Sequence, residues 1–236
     1  MAKSFFTNKW VAITGAAHGI GRELSRQLSL KGAHLLLSDI DSENLHELVN
    51  ELRKDNANVF EWCVDVSNRQ EMEHWVAEIK NHTSCVDILF NNAGVSVAAS
   101  FTGHQWEDWD RIIGINICGV VYGCRLFYPL LQKSQRGRIV NMSSLFGIIA
   151  MPNQVAYCMS KYAVRGLSEA LWEELEDVDV SVKWPFKWCL VGSSGSGKTI
   201  FSLNLVKNIH RIVDIPPTKI VLIFKEYQKI YDEFKK

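Results

Sequence analysis

The chain has 236 residues, 47% of them hydrophobic, with 26 basic and 26 acidic side chains and no net charge. That length and apolar content suffice for one large α/β domain or two small ones. The charge balance gives no electrostatic basis for binding nucleic acid or a membrane surface, and the apolar runs fall short of a membrane span.

The N-terminus is too short and polar before the first apolar run for a secretion signal. Six cysteines, at 63, 85, 118, 124, 158 and 189, form no Cys-x-x-Cys pair. Most of them sit in apolar runs and read as small core residues in a reducing cytoplasm, and a metal site is not expected.

Trp10 to Thr14 is a short apolar run, expected to be a buried parallel strand. It leads into Gly15, His18, Gly19, Ile20 and Gly21, and then a helix from about Arg22 to Leu30 that ends at Gly32. Glycines after a strand let the backbone turn tightly and approach a pyrophosphate, which the helix N-terminus then holds by free N–H groups and its positive dipole end. Ala33 to Asp39 is the second strand. Asp39 stands where an acid accepts hydrogen bonds from an adenosine ribose and repels a 2′-phosphate, favouring NAD over NADP. Helix capping by Asp39, Asp41 or Ser42 is the competing explanation.

Leu45, Leu48, Val49 and Leu52 give an amphipathic helix. Asn58 to Val64 is the third strand, followed by Asp65 and Val66, and Asp65 or Ser67 would cap the next helix. That helix carries Met72, Trp75, Val76 and Ile79. Val86 to Phe90 is the fourth strand, ending in Asn91-Asn92-Ala93-Gly94, whose small residues would let a cofactor lie across the strand ends. Residues 105–131 form a long helical pattern in which Asn116 sits among isoleucines and needs hydrogen-bond partners.

Arg138 to Met142 is the fifth strand, with Ser143 and Ser144 at its end. Residues 153–176 are the helix that carries Tyr157 and Lys161, and Asp179 to Lys183 begins a sixth strand. A tyrosine and a lysine four apart share one helix face. The ammonium would pull the phenol down from its usual value near ~10 toward neutral pH. Ser144 could hydrogen-bond a carbonyl oxygen as it gains or loses charge.

Taken together, Thr14-Gly-Ala-Ala-His-Gly-Ile-Gly21, Asn91-Asn-Ala-Gly94, Asn116, Asn141-Met-Ser-Ser144 and Tyr157-x-x-x-Lys161 resemble the short-chain dehydrogenase/reductase family over residues 7–183. The resemblance implies a Rossmann-type, doubly wound parallel sheet and an NAD-linked oxidoreductase acting on an alcohol or ketone. Tyr157 would be the acid-base group, Lys161 would lower its pKa and hold the nicotinamide ribose, and Ser144 would orient the carbonyl. Asn116 would distort its helix and hold a relay water. Asp65 and Val66 would meet the adenine, while Asn92, Ala93 and Gly94 would support the adenosine side. NADP-preferring relatives often carry a basic residue where His18 stands. Relatives also pair the helices at 105–131 and 153–176 across a dimer axis.

Beyond Lys183 the family pattern breaks. Gly192-Ser-Ser-Gly195-Ser-Gly197-Lys198-Thr199 resembles the phosphate-binding loop of P-loop NTPases, between an apolar run at 187–191 and a helical pattern at 200–209. Backbone N–H groups there would cradle ATP phosphates, Lys198 would reach the terminal ones and Thr199 would bind magnesium. The strand at Ile220–Phe224 ends in Lys225, without the acid a magnesium site requires. Residues 1–183 and 184–236 are therefore expected to be two units, the second a strand–P-loop–helix–strand segment able to complete the first sheet. Three other readings compete with an oxidoreductase. One is a nucleotide-binding chimera without catalysis, one an ATP-binding protein with a passenger Rossmann domain, and one a join of two gene fragments.

Overall fold

A computed structural model describes residues 4–54 and 57–183, within a compact unit that runs Met1–Pro185. The strands are β1 (Trp10–Thr14), β2 (His34–Asp39), β3 (Val59–Cys63), β4 (Ile88–Asn91), β5 (Gly137–Met142) and β6 (Val178–Lys183). They form one six-stranded parallel sheet in the order β3-β2-β1-β4-β5-β6. The order reverses between β1 and β4, and in such a sheet the crevice at the strand carboxyl ends of that switch point is where ligands bind.

The helices are α1 (Gly19–Leu30), α2 (Ser42–Lys54), α3 (Arg69–Ile79), α4 (Trp106–Ile113), α5 (Gly119–Leu131) and α6 (Val155–Glu174). A π-helical segment, Gly114–Cys118, joins α4 to α5. Both sheet faces are covered, which is why the strands read as continuous apolar runs. Val11, Ile13, Leu35 and Leu37 pack with Leu28 of α1 and Leu45, Leu48 and Val49 of α2. Ala12, Leu36, Leu89 and Ile139 pack on the other face with Trp75 of α3, Phe127 of α5 and Val164 of α6.

Several expectations change. Helix α1 begins at Gly19 rather than near Arg22, with His18 as its extended N-cap residue. Helix α3 is capped by Asn68, whose side chain accepts from Gln70 N and Glu71 N, and not by Asp65 or Ser67. Of the five cysteines among the described residues all are free, but only Cys124 and Cys158 are buried. Cys63 follows the outward side of an edge strand and is exposed. The helical stretch Trp106–Leu131 is, by length and composition, apolar enough to cross a membrane. Its apolarity serves the core, because Ile112, Val120, Cys124, Phe127 and Leu130 are buried in the domain. The P-loop-like residues Gly192, Gly195, Gly197, Lys198 and Thr199 lie outside the described residues, as does the expected strand–helix–strand segment.

Candidate active site

The glycine turn after β1 is built by close approach. Gly15 has φ +64°, and a Cβ there would stand 2.8 Å from the Ala93 backbone. A Cβ on Gly21 would stand 2.0 Å from the Gly15 carbonyl oxygen. These two positions exclude any side chain. Gly19, at φ +49°, has no neighbouring atom within 4 Å of its absent Cβ. Its bare face opens at the α1 N-terminus, beside the exposed Ile20, and gives an anionic pyrophosphate backbone N–H groups without steric obstruction. The turn therefore fits a dinucleotide.

Asp39 ends β2. Its carboxylate accepts from Ala17 N at 2.8 Å and from Asp41 N at 3.0 Å, so it ties the glycine turn to the strand end. Capping of α2 falls to Asp41, which accepts from Asn44 N. Asp41 is also paired with the His18 ring at 2.8 Å. The Asn44 N–H first, and then His18, hold the Asp41 carboxyl down at about 2. Asp65 is half-buried and accepts from Ser67 N and Oγ. Val66 is buried, with its side chain and carbonyl against Gly119 at the π–α5 junction.

The asparagines after β4 act as cross-braces. Asn92 Nδ2 donates to the Thr14 and Gly15 carbonyls, both at 2.9 Å. The Thr14 hydroxyl accepts from Asn92 N and Ala93 N, both at 3.0 Å. Asn91 donates to Asn141, and Asn141 donates to Ser168, which links β4, β5 and α6 in the buried core. Gly94 is exposed, and its missing Cβ would lie 3.4 Å from both Asn116 Oδ1 and Lys161 Nζ.

That glycine is where the second half of the site arrives. Asn116 is fully buried in the π segment. Its side chain accepts from Val95 N at 2.8 Å and donates to the Val95 carbonyl at 2.8 Å and to Ser160 Oγ at 3.0 Å. The carboxamide is thereby consumed by protein groups. The distortion expected of this helix is present, while the side chain is committed to holding the loop after β4.

Tyr157 and Lys161 lie one turn apart on α6, with the Lys161 ammonium 5.5 Å from the Tyr157 ring centroid. Lys161 is 4% exposed and donates to the Met142 carbonyl at the end of β5. Burial drives its pKa down to about 8. Burial also raises the Tyr157 phenol above its ordinary value, with the neighbouring Ser144 hydroxyl opposing the shift. The expected lowering by Lys161 is not the controlling effect. Loss of hydration around the phenol sets the direction, Ser144 and not Lys161 is the group that opposes it, and burial likewise disfavours the lysine's charge. Ser144 caps the 3₁₀ turn Leu145–Gly147, accepting from Phe146 N.

Sequence reasoning missed three supports. Ser160 links Asn116 to the Tyr157 carbonyl. Ser143 Oγ donates to the Lys161 carbonyl. Ser96 Oγ donates to Gln154 Oε1 across two loops. The position of Ser160, directly before Lys161, was the one available signal. The other partners meet only in the fold. Two cavities of about 280 and 500 Å³ lie elsewhere, one between β3 and α3 and one at the opposite end of β5 and β6.

A doubly wound parallel sheet, a glycine turn at its switch point and a Tyr–Lys helix beside it define a Rossmann-type dinucleotide-binding protein. The family model for short chain dehydrogenases matches residues 9–184. SadH from Mycobacterium tuberculosis is 40% identical over 172 residues, which are 73% of this chain and 62% of that protein. The 3-oxoacyl-[acyl-carrier-protein] reductase FabG of Thermotoga maritima is 34% identical over 170 residues, 72% of this chain and 69% of FabG. Among solved structures, a short chain dehydrogenase/reductase from Burkholderia phymatum in complex with NAD is 32% identical, with a TM-score of 0.74. The match covers 78% of this chain and 66% of that one. A metagenomic short-chain oxidoreductase in complex with NADP has a TM-score of 0.73 at 28% identity, over 77% of this chain and 84% of that one. The chain belongs to the short chain dehydrogenase family. It spans under two thirds of the length of SadH and of the NAD-bound structure.

Proposed function

We propose that the protein is an NAD(H)-dependent oxidoreductase that interconverts a small-molecule alcohol and ketone. The observation that carries this reading is the convergence of Ser144, Tyr157, Lys161 and Gly94 beside the open glycine turn. When bound, the nicotinamide supplies the hydride acceptor or donor. The chain supplies the rest. The Tyr157 hydroxyl gives a proton to the substrate oxygen in reduction and takes it back in oxidation. Ser144 orients that oxygen. Below about pH 8 Lys161 is an ammonium that would favour the transient phenolate left as Tyr157 gives up its proton, and its place beside Gly94 suits it to a ribose hydroxyl. Asn116 holds the loop that carries Gly94, and the π turn around it is where a relay water would find a main-chain carbonyl.

Asp39 favours NAD, since a 2′-phosphate next to this carboxylate would bring like charges together. NAD-bound and NADP-bound relatives both exist, so the preference rests on Asp39 and on the engagement of His18 with Asp41. Replacing Tyr157 by Phe is expected to abolish NADH-linked turnover while NADH binding persists. Turnover that survives the change would overturn the assignment.

Three further expectations belong to this reading. Exposed Val121, Val155, Met159 and Tyr162 on α5 and α6 suit a dimer interface. The five cysteines among the described residues are free thiols, which suits a reducing cytoplasm. The motif Gly192-x-x-x-x-Gly197-Lys198-Thr199 supports ATP and magnesium binding by sequence alone, as a unit separate from residues 1–183.

A further inference from the structure

The rim of the site carries information about the substrate. Two loops flank Tyr157: residues 94–105 after β4 and residues 143–156 between β5 and the first turn of α6. Neither contains an Asp, Glu, Lys or Arg. They are strapped together by Ala99 N donating to the Asn153 carbonyl at 3.0 Å and by Ser96 Oγ donating to Gln154 Oε1 at 2.9 Å. Asn153 adopts φ +63° at this strap, a conformation that non-glycine residues seldom take.

Gln154 is the residue of interest. It stands at the N-cap position of α6, yet its side chain makes no capping bond. It lies three residues before Tyr157, on the same helix face. Its carboxamide oxygen is fixed by Ser96, and its N–H pair has no partner among the described residues. A half-buried amide held by one end offers a directed donor beside the acid-base group. Phe146, whose ring meets the Tyr157 ring edge-on at 6.1 Å between centroids, gives the neighbouring wall an apolar character.

Resting on the oxidoreductase reading, we infer that Gln154, oriented by Ser96, is a specificity-determining residue that selects neutral carbonyl compounds bearing a second oxygen acceptor next to the reacting carbon, such as α-diketones and α-keto esters. An anionic group would meet no Arg or Lys on these two loops, and the one ammonium beside Tyr157, Lys161, is buried and bonded to the Met142 carbonyl, so the group would lose its hydration with little return. A simple ketone would leave the Gln154 N–H pair unpaired, which is how a polar site rejects a substrate lacking the matching group.

The test uses the full chain with NADH and initial rates on ethyl pyruvate, butan-2-one and pyruvate. Wild type is expected to turn over ethyl pyruvate with a kcat/KM at least tenfold above that for pyruvate. Gln154→Leu is expected to lower kcat/KM for ethyl pyruvate about tenfold more than for butan-2-one, the worth of one neutral hydrogen bond. Ser96→Ala moves the same ratio in the same direction by less, because it frees the amide without removing it. NADH titration verifies that each variant is folded. Equal losses on both neutral substrates, or pyruvate outpacing its ester, would overturn the inference while leaving the oxidoreductase reading intact. No turnover of any carbonyl, with wild type indistinguishable from Tyr157→Phe, would remove both.

Discussion

Lys161 is a basic group placed where charge is costly. It is 4% exposed, its ammonium donates to one backbone carbonyl, and burial brings its pKa to about 8. In the unfolded chain a lysine titrates near ~10.4. Between those values the unfolded chain holds a proton that the folded chain has released, so stability rises with pH from about 8 to about 10. Below pH 8 the folded protein carries the full cost of the buried charge, on the order of 3 kcal/mol. Lys161→Met keeps the side-chain length and removes that cost, at the expense of the bond to Met142. It is expected to be more stable than wild type by about 1–2 kcal/mol at pH 7, and inactive. Urea unfolding from pH 7 to 10 checks this: the wild-type midpoint climbs toward the variant's as pH rises. A variant less stable than wild type at every pH would show that the lysine's contacts outweigh its burial. At this scale the sequence shows which residues share a helix face but not the direction of their pKa shifts. Tyr157 and Lys161 share a helix face by spacing alone, whereas the burial that sets both shifts comes from β5, the loop after β4 and the 3₁₀ turn packed over them.

Elements were legible where one periodicity was at work. Central strands of a doubly covered parallel sheet are apolar on both faces, and β1, β2 and β4 show as short apolar runs, whereas the edge strand β6, VDVSVK, alternates. Boundaries were less legible where glycine opens a helix, as at Gly19, because glycine carries no helix propensity of its own. The break in the 105–131 helix was invisible to apolar periodicity, since the π segment Gly114–Cys118 continues the same run. What betrays it is the single polar residue inside, Asn116, whose three hydrogen bonds hold Val95 and Ser160. Asn116→Ala would strand the half-buried Val95 N–H and carbonyl and release the loop that carries Gly94. The expected cost is about 2–3 kcal/mol of stability, together with weakened NADH binding because Gly94 loses its fixed position. Chemical denaturation and fluorescence titration read the two effects separately. A stability loss with unchanged NADH affinity would confine Asn116 to a structural part.

On the scale of the whole molecule, the glycine turn, Asp39, the asparagine braces and the Tyr–Lys helix all fall within the residues that match the family model, 9–184. Among the described residues, the hydrogen bonds that orient these groups join positions between 4 and 183. A dinucleotide site built from one contiguous stretch should bind without contributions from residues 184–236. Purified protein titrated with NADH is therefore expected to give saturable fluorescence enhancement, displaced by NAD and at least tenfold less well by NADP, since Asp39 opposes the 2′-phosphate. ATP tests the second nucleotide motif in the same cuvette. If Gly192 to Thr199 form a separate phosphate site, ATP with magnesium binds without displacing NADH, and Lys198→Ala removes the ATP signal alone. If ATP competes with NADH, its adenosine is entering the site beside Asp39 and the second motif holds no nucleotide of its own. Equal displacement by NAD and NADP would shift the cofactor assignment away from Asp39 and toward His18, whose ring would have to leave Asp41 to meet the extra phosphate. Absence of NADH binding would mean that the contiguous stretch does not suffice, and that the part of its relatives this chain does not span is needed to hold the crevice open.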